Sequence, residues 1–162
     1  MVENPVVRSL MSTAPYSISE DETLLMAWEV MERSGQRTLP VVRTDGCCAG
    51  VLGRAELAVA CAGAGLSGRR VHDLVHSRRT ATIHPEESLS HAAAVMTAED
   101  MDALPVTDLH GQLVGLLTAR DYVAAAAGLH RRAGAVTEGP TCVTLPGLPP
   151  QVEVREHGIV IP

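Results

Sequence analysis

The sequence predicts an α+β fold in which two tandem β-hairpin/helix repeats, each of about 60 residues, pack sheet to sheet with pseudo-twofold symmetry. Two observations carry this. The 162-residue chain matches itself at one offset, about 65 residues, from Val6 to Gly128 without insertion or deletion. Each copy then shows the same succession of helical and strand periods separated by turn residues. A unit this small cannot bury a hairpin face and a helix face alone, so the copies must share their interior and leave a cleft between them. The predicted boundaries are 6–65 and 66–129, with a tail over 130–162.

The pairs in register include Val6 with Val71, Ile18 with Ile83, Glu22 with Glu87, Leu24 with Leu89, Ala27 with Ala92 and Met31 with Met96. Leu39-Pro40-Val41 matches Leu104-Pro105-Val106, and Gly46 and Gly50 match Gly111 and Gly115. Alanines coincide by chance in an alanine-rich chain. A Leu-Pro-Val string and two glycines in step do not.

The elements follow in order. Tyr16-Ser17-Ile18 reads as a short extended segment, and Ser19 with Glu22 has capping-box spacing, so a helix is expected to start there. Leu24, Ala27, Trp28 and Met31 then fall on one helical face, as do Leu89, Ala92, Ala93 and Met96 in the copy. A hairpin follows, with strands at Thr38–Val42 and Ala49–Leu52 around Asp45-Gly46, and at Ala103–Thr107 and Gln112–Leu117 around His110-Gly111. Alanine-rich helices over Ala55–Ala62 and Ala119–Ala127 close the repeats, with Gly63 and Gly128 placed for left-handed caps.

Composition narrows the function. Hydrophobic residues make up 46% and charged residues 20%, a globular balance rather than a disordered one. A net charge of −6, no Phe, one Trp and two Tyr argue against a nucleic-acid partner, which needs clustered cations and stacking platforms. The start, Met1 to Pro5, shows no secretory signal, and the longest apolar run, Leu57 to Leu66, is far short of a membrane span. A cytoplasmic protein without a membrane partner is expected. Cys47, Cys48, Cys61 and Cys142 lack disulfide-framework spacing and read as reduced thiols.

The duplicated string resembles the cystathionine-β-synthase (CBS) domain, and the tandem arrangement resembles the CBS pair called a Bateman module. The resemblance rests on Leu104-Pro105-Val106 followed by Gly-Leu-Leu-Thr-Ala-Arg-Asp at 115–121, and on the opening Val6 to Thr13. It implies two related clefts that hold AMP, ADP, ATP or S-adenosylmethionine as a regulatory ligand, no required cofactor, and association into a homodimer. It also implies regulation of a protein partner that the sequence does not name.

Thr118, Arg120 and Asp121 stand between the last strand and the next helix, where amide groups, a hydroxyl and a guanidinium suit a phosphate and a carboxylate suits ribose hydroxyls. Thr118 and Asp121 also have the spacing of a simple helix cap. By the same resemblance, Thr13, Ala14 and Tyr16 flank the base, Gln36 lies near it, and Asp102 faces the cleft, where its charge opposes a polyphosphate. The mirror-related site departs from the pattern: Gly53-Arg54-Ala55-Glu56 lacks the threonine and replaces Asp by Glu. It forms a weaker second site of Arg54, Glu56, Arg78, Arg79 and Thr80. One ligand per chain, at Asp121, is expected.

No catalytic grouping is visible, and the chain has no lysine for a phosphate-binding loop. His72 and His76 share a helix face without a spaced cysteine pair, so no metal site is expected. The tail carries basic His130-Arg131-Arg132, a Pro/Gly-punctuated stretch, and apolar alternation at Val152–Val154 and Gly158–Ile161 that reads as a terminal strand or hairpin. The expected function is a non-catalytic sensor module; the alternative is a constitutive dimeric scaffold or protein-interaction module with vestigial ligand sites.

Overall fold

The computed structural model describes residues 4–63, 68–129 and the backbone of 143–144. After a 3-10 turn (Val7–Ser9), the first repeat runs β1 (Tyr16–Ser19), α1 (Leu24–Ser34), β2 (Thr38–Val42), β3 (Cys48–Gly53) and α2 (Arg54–Ala62). A short helix α3 (His72–Val75) leads to α4 (Leu89–Ala98), β4 (Ala103–Thr107), β5 (Leu113–Thr118) and α5 (Ala119–Ala126). Both hairpins are antiparallel, with Leu39 opposite Leu52 and Leu104 opposite Leu117. Both slip register at the same place, between Val41 and Val42 and between Val106 and Thr107. β1 lies parallel to β2, and its copy is reduced to a parallel bridge from Ile83 to Val106.

The two hairpins meet at their tips. Cys47 forms an antiparallel bridge with Gln112, Cys48 N donates to Gly111 O (3.0 Å) and Leu113 N donates to Gly46 O (3.3 Å). Gln112 Nε2 adds a bond to Asp45 O at 2.7 Å. Cys47 and Gln112 occupy the same position in the two copies, so the pseudo-twofold axis passes between them. β3 thereby packs beside β4, and β2 beside β5.

Each repeat's interior is completed by the opening segment of the other. Val71 and Val75, from the second copy, lie fully or almost fully buried with Ile18, Leu24, Val30, Met31, Leu39 and Leu52. Val7 and Met11, from the first, join Ile83, Ala92, Met96, Leu104 and Leu117. Backbone bonds fix the exchange: Val71 N donates to Glu22 O (2.8 Å), and Val7 N to Glu87 O (2.8 Å). Where the first segment crosses β5, a Cβ on Gly115 would stand 2.8 Å from Ser12 O, so only glycine lets the two backbones approach. Ser12 N and Leu116 O, and Leu116 N and Ser12 O, bond across that contact at 2.8 and 3.0 Å.

Several sequence expectations need correction. α1 starts at Leu24 with Thr23 as its cap, whose Oγ1 accepts from Met26 N at 3.1 Å, and not at the Ser19/Glu22 box. Ser19 ends β1, the chain turns at Glu20 and Asp21 with Glu22 N donating to Ser19 O at 3.1 Å, and the Glu20 and Glu22 carbonyls are held by His72 N and Val71 N, so no helix begins before Thr23. In the copy, Ser88 caps α4 in the matching way. Trp28 and Leu89 are only half-buried, and Val30 lies on the buried face of α1 instead. β3 begins at Cys48 and β5 at Leu113, one residue to either side of their expected starts, because the tip-to-tip pairing sets where each strand opens. Gly63 is extended (φ −74°, ψ 154°) rather than left-handed, whereas Gly128 does adopt a positive φ of 74°.

Of the tail, β6 (Val143–Thr144) runs parallel to β1, opposite Tyr16 and Ser17, and gives the sheet order β3-β2-β1-β6. The expected strands at Val152–Val154 and Gly158–Ile161 fall outside the described residues. No helix among the described residues is long and apolar enough to cross a membrane.

Candidate functional site

An open cleft of about 1220 Å³ lies where the N-terminal ends of α2 and α5 face each other. Its walls come from both repeats. Gln36, Arg37, Thr38, Gly53 and Arg54 line one side, and Asp102, Leu116, Thr118, Arg120 and Asp121 the other.

The α5 side is built by a reciprocal cap. Thr118 N donates to Asp121 Oδ2 at 2.8 Å, Thr118 Oγ1 donates to the same oxygen at 2.9 Å, and Asp121 N donates back to Thr118 Oγ1 at 3.2 Å. This box fixes the first turn of a helix that has no buried residue of its own. Tyr122 secures the next turn through a 2.6 Å bond from its Oη to Leu89 O, and burial pushes its phenol above the ordinary value. Ala119 N donates to Asp102 O at 2.8 Å and ties the start of α5 to the residue that leads into β4. Thr118, Arg120, Asp121 and Asp102 are therefore brought together at one wall.

Gln36 lies at the opposite wall, with its amide engaged. Oε1 accepts from Tyr16 N at 2.8 Å, and Nε2 donates to Tyr16 O and Thr38 O at 3.1 and 3.0 Å. It braces the start of β1 against the start of β2. Thr13, Ala14 and Tyr16 are exposed and stand outside the cleft lining.

Of the residues of the expected mirror site, two come into direct contact. Glu56 and Arg78 form an ion pair at 2.7 Å, and Arg78 also donates to Val51 O at 3.1 Å, so this arginine pins the inter-repeat segment to β3. Thr80 Oγ1 packs against Gly50, while Arg79 is exposed. Arg54, at the N-terminal end of α2, lines the Asp121 cleft. Its guanidinium lies over Trp28, 5.1 Å from the ring centroid, and bonds Glu32.

The pattern of the CBS domain family matches residues 7–63 and again 71–128. The chain belongs to the CBS domain family. Its paired copies form a CBS pair, and solved pairs share the fold. One is the CBS domain pair of protein MJ0100 in complex with 5′-methylthioadenosine and S-adenosyl-L-methionine: TM-score 0.69, 22% identity, covering 76% of this chain and 97% of that one. Another is CBSX2 in complex with AMP: TM-score 0.65, 22% identity, covering 78% and 98%. Among curated proteins, a homoserine O-acetyltransferase of Methanosarcina acetivorans is 27% identical over 123 residues, 74% of this chain and 21% of that one. The chain spans about a fifth of the length of the first curated relatives it matches.

Within this CBS pair, sequence reasoning missed Trp28 and Arg37 as cleft residues. Trp28 carried the signal of a core stripe. Arg37 was hidden because its repeat partner is Asp102, of opposite charge. The lining groups are hydrogen-bond donors, a short carboxylate pair and three guanidiniums, a set whose chemistry suits an anionic or hydroxylated ligand. Among the described residues, no three His, Cys, Asp or Glu side chains gather as a metal site would need. His72 and His76 stack ring on ring at 5.0 Å.

Proposed function

We propose that this CBS pair is a non-catalytic regulatory module that binds AMP, ADP, ATP or S-adenosylmethionine in the cleft between α2 and α5. The observation that carries the reading is that one cleft draws Arg37 and Arg54 from the first repeat and Thr118, Arg120 and Asp121 from the second. A ligand that touches both walls alters how the repeats sit against each other, and a protein partner reads that pose. The complexes of related pairs with AMP and with S-adenosyl-L-methionine support the ligand class. Free thiols at Cys47, Cys48 and Cys61 suit a reducing compartment, the cytoplasm.

The module works as a homodimer in this reading. α2 and α5 leave Val59 and Val123 76% and 68% exposed, and alanines extend both faces, which suits helix-to-helix packing with a second copy. One observation favours the scaffold alternative: the Thr118/Asp121 box does a structural job whether or not a ligand is present.

Calorimetry with AMP, ADP, ATP and S-adenosylmethionine, repeated on Asp121→Ala and Arg120→Gln, tests the reading. Binding that weakens in both variants is the expected result. The cap is made by Thr118 and Asp121, so the Arg120 variant leaves it in place. No binding by any of the four compounds favours the scaffold, and binding untouched by either variant sinks the site.

A further inference from the structure

The first repeat carries a cluster that the second does not. Trp28, Glu32 and Arg54 correspond in the copy to Ala93, Thr97 and Ala119. The second repeat builds the same helix and hairpin without them, so the cluster is not a requirement of the fold. Trp28 and Arg54 line the cleft, whereas Glu32 does not. The indole covers one face of the guanidinium, and Glu32 takes one of its nitrogens.

We propose that Arg54 selects an anionic ligand by leaving Glu32 for the phosphate of an adenosine monophosphate, an inference that rests on the ligand-binding reading above. The Arg54–Glu32 pair is 39% and 46% exposed at its two side chains, and an ion pair this open contributes little. A phosphate offers two oxygens to the same planar fork, a stronger and more directional arrangement. Trp28 holds the guanidinium at the wall while its partner changes.

The balance of charge in the cleft points the same way. Arg37, Arg54 and Arg120 face two carboxylates, Asp102 and Asp121. Asp121 Oδ2 already accepts two bonds from Thr118. Once Arg54 turns from Glu32, which lies outside the lining, three guanidiniums face two lining carboxylates, and this favours a phosphate monoester over the sulfonium and ammonium of S-adenosylmethionine. Asp102 on the opposite wall repels a longer phosphate chain.

The test titrates the full chain with AMP and with adenosine, which lacks the phosphate, by calorimetry and by fluorescence of Trp28, the only tryptophan. The wild-type protein is expected to prefer AMP by about tenfold or more, the loss typical of one charged hydrogen bond. Arg54→Gln reduces that ratio by about tenfold, while Glu32→Gln tightens AMP because the competing carboxylate is gone. Both variants break the same ion pair, so a merely structural role would move both in one direction. A wild-type ratio retained in Arg54→Gln, or AMP weakened equally in Glu32→Gln, overturns the proposal. Equal wild-type affinity for AMP and adenosine, or no binding by either while ADP, ATP or S-adenosylmethionine binds, overturns it and leaves the ligand reading standing; no binding by any of these compounds overturns both.

Discussion

Truncating Val71 to alanine is expected to destabilise the first repeat, although Val71 belongs by sequence to the second. The side chain has no exposed surface and packs with Ile18, Leu24, Ala27 and Val30. Val→Ala removes two methyl groups, worth about 0.8 kcal/mol each in transfer terms, and leaves a cavity that raises the cost to about 2–3 kcal/mol. Its backbone bond to Glu22 O is untouched, so the loss reports packing. With a urea slope of about 1–3 kcal/mol per molar, the unfolding midpoint falls by roughly 1 M. Trp28 packs against this same cluster, so its fluorescence follows the transition directly. Leu109→Ala, at a turn side chain 90% exposed, serves as the control and is expected to stay within about 0.5 kcal/mol of wild type. A Trp28 transition that Val71→Ala moves no further than Leu109→Ala does would refute the exchange of opening segments.

Three further outcomes follow from the same structure. Gly115→Ala places a Cβ 2.8 Å from Ser12 O and 2.9 Å from Met11 Sδ, and the overlap costs about 1–3 kcal/mol, measured by scanning calorimetry. Thr118→Ala removes the cap of α5 and costs about 0.5–2 kcal/mol, with faster amide exchange in the first turn of the helix; Thr118→Ser retains the cap. Burial holds the Cys48 thiol up to about 11 against an ordinary 9.0. The unfolded chain loses that proton near 9.0 while the folded chain keeps it, so stability falls as pH rises from about 9 to about 11. Denaturation at pH 8 and pH 10.5 checks this, and Cys48→Ala is expected to flatten the slope.

The repeat, the hairpins and the order of elements were legible because they depend on local period and turn chemistry, which a 65-residue offset displays twice. β2 and β4 took the residues expected of them. What misled was any signal with two local meanings. Ser19 and Glu22 have the spacing of a cap, yet the Glu20 and Glu22 carbonyls are taken by a segment some 50 residues later, and that competition is invisible in the string. Gly63 looked like a left-handed terminus and is extended.

The wall around Thr118 was legible because a cap and a binding motif share residues there. The opposite wall was not. Arg54 is assigned by repeat logic to a mirror-related site, and it lines the cleft that holds Asp121. Arg78, assigned from the sequence to the weaker second site, is held by Glu56 and Val51 O. Ion pairs between distant segments leave no period to read.

The tip-to-tip pairing of the hairpins also accounts for a property of the sequence itself. Cys48 N and Leu113 N donate across the axis to Gly111 O and Gly46 O, so the two turns must reach the same point with the same number of residues. One extra residue in either turn would put its neighbour's amide out of step and swing β3 away from β4, opening the floor beneath the cleft. The turns thus act as a shared ruler, and a chain bound by it has no room for an insertion between Val6 and Gly128 at the place where hairpins ordinarily accept one most easily.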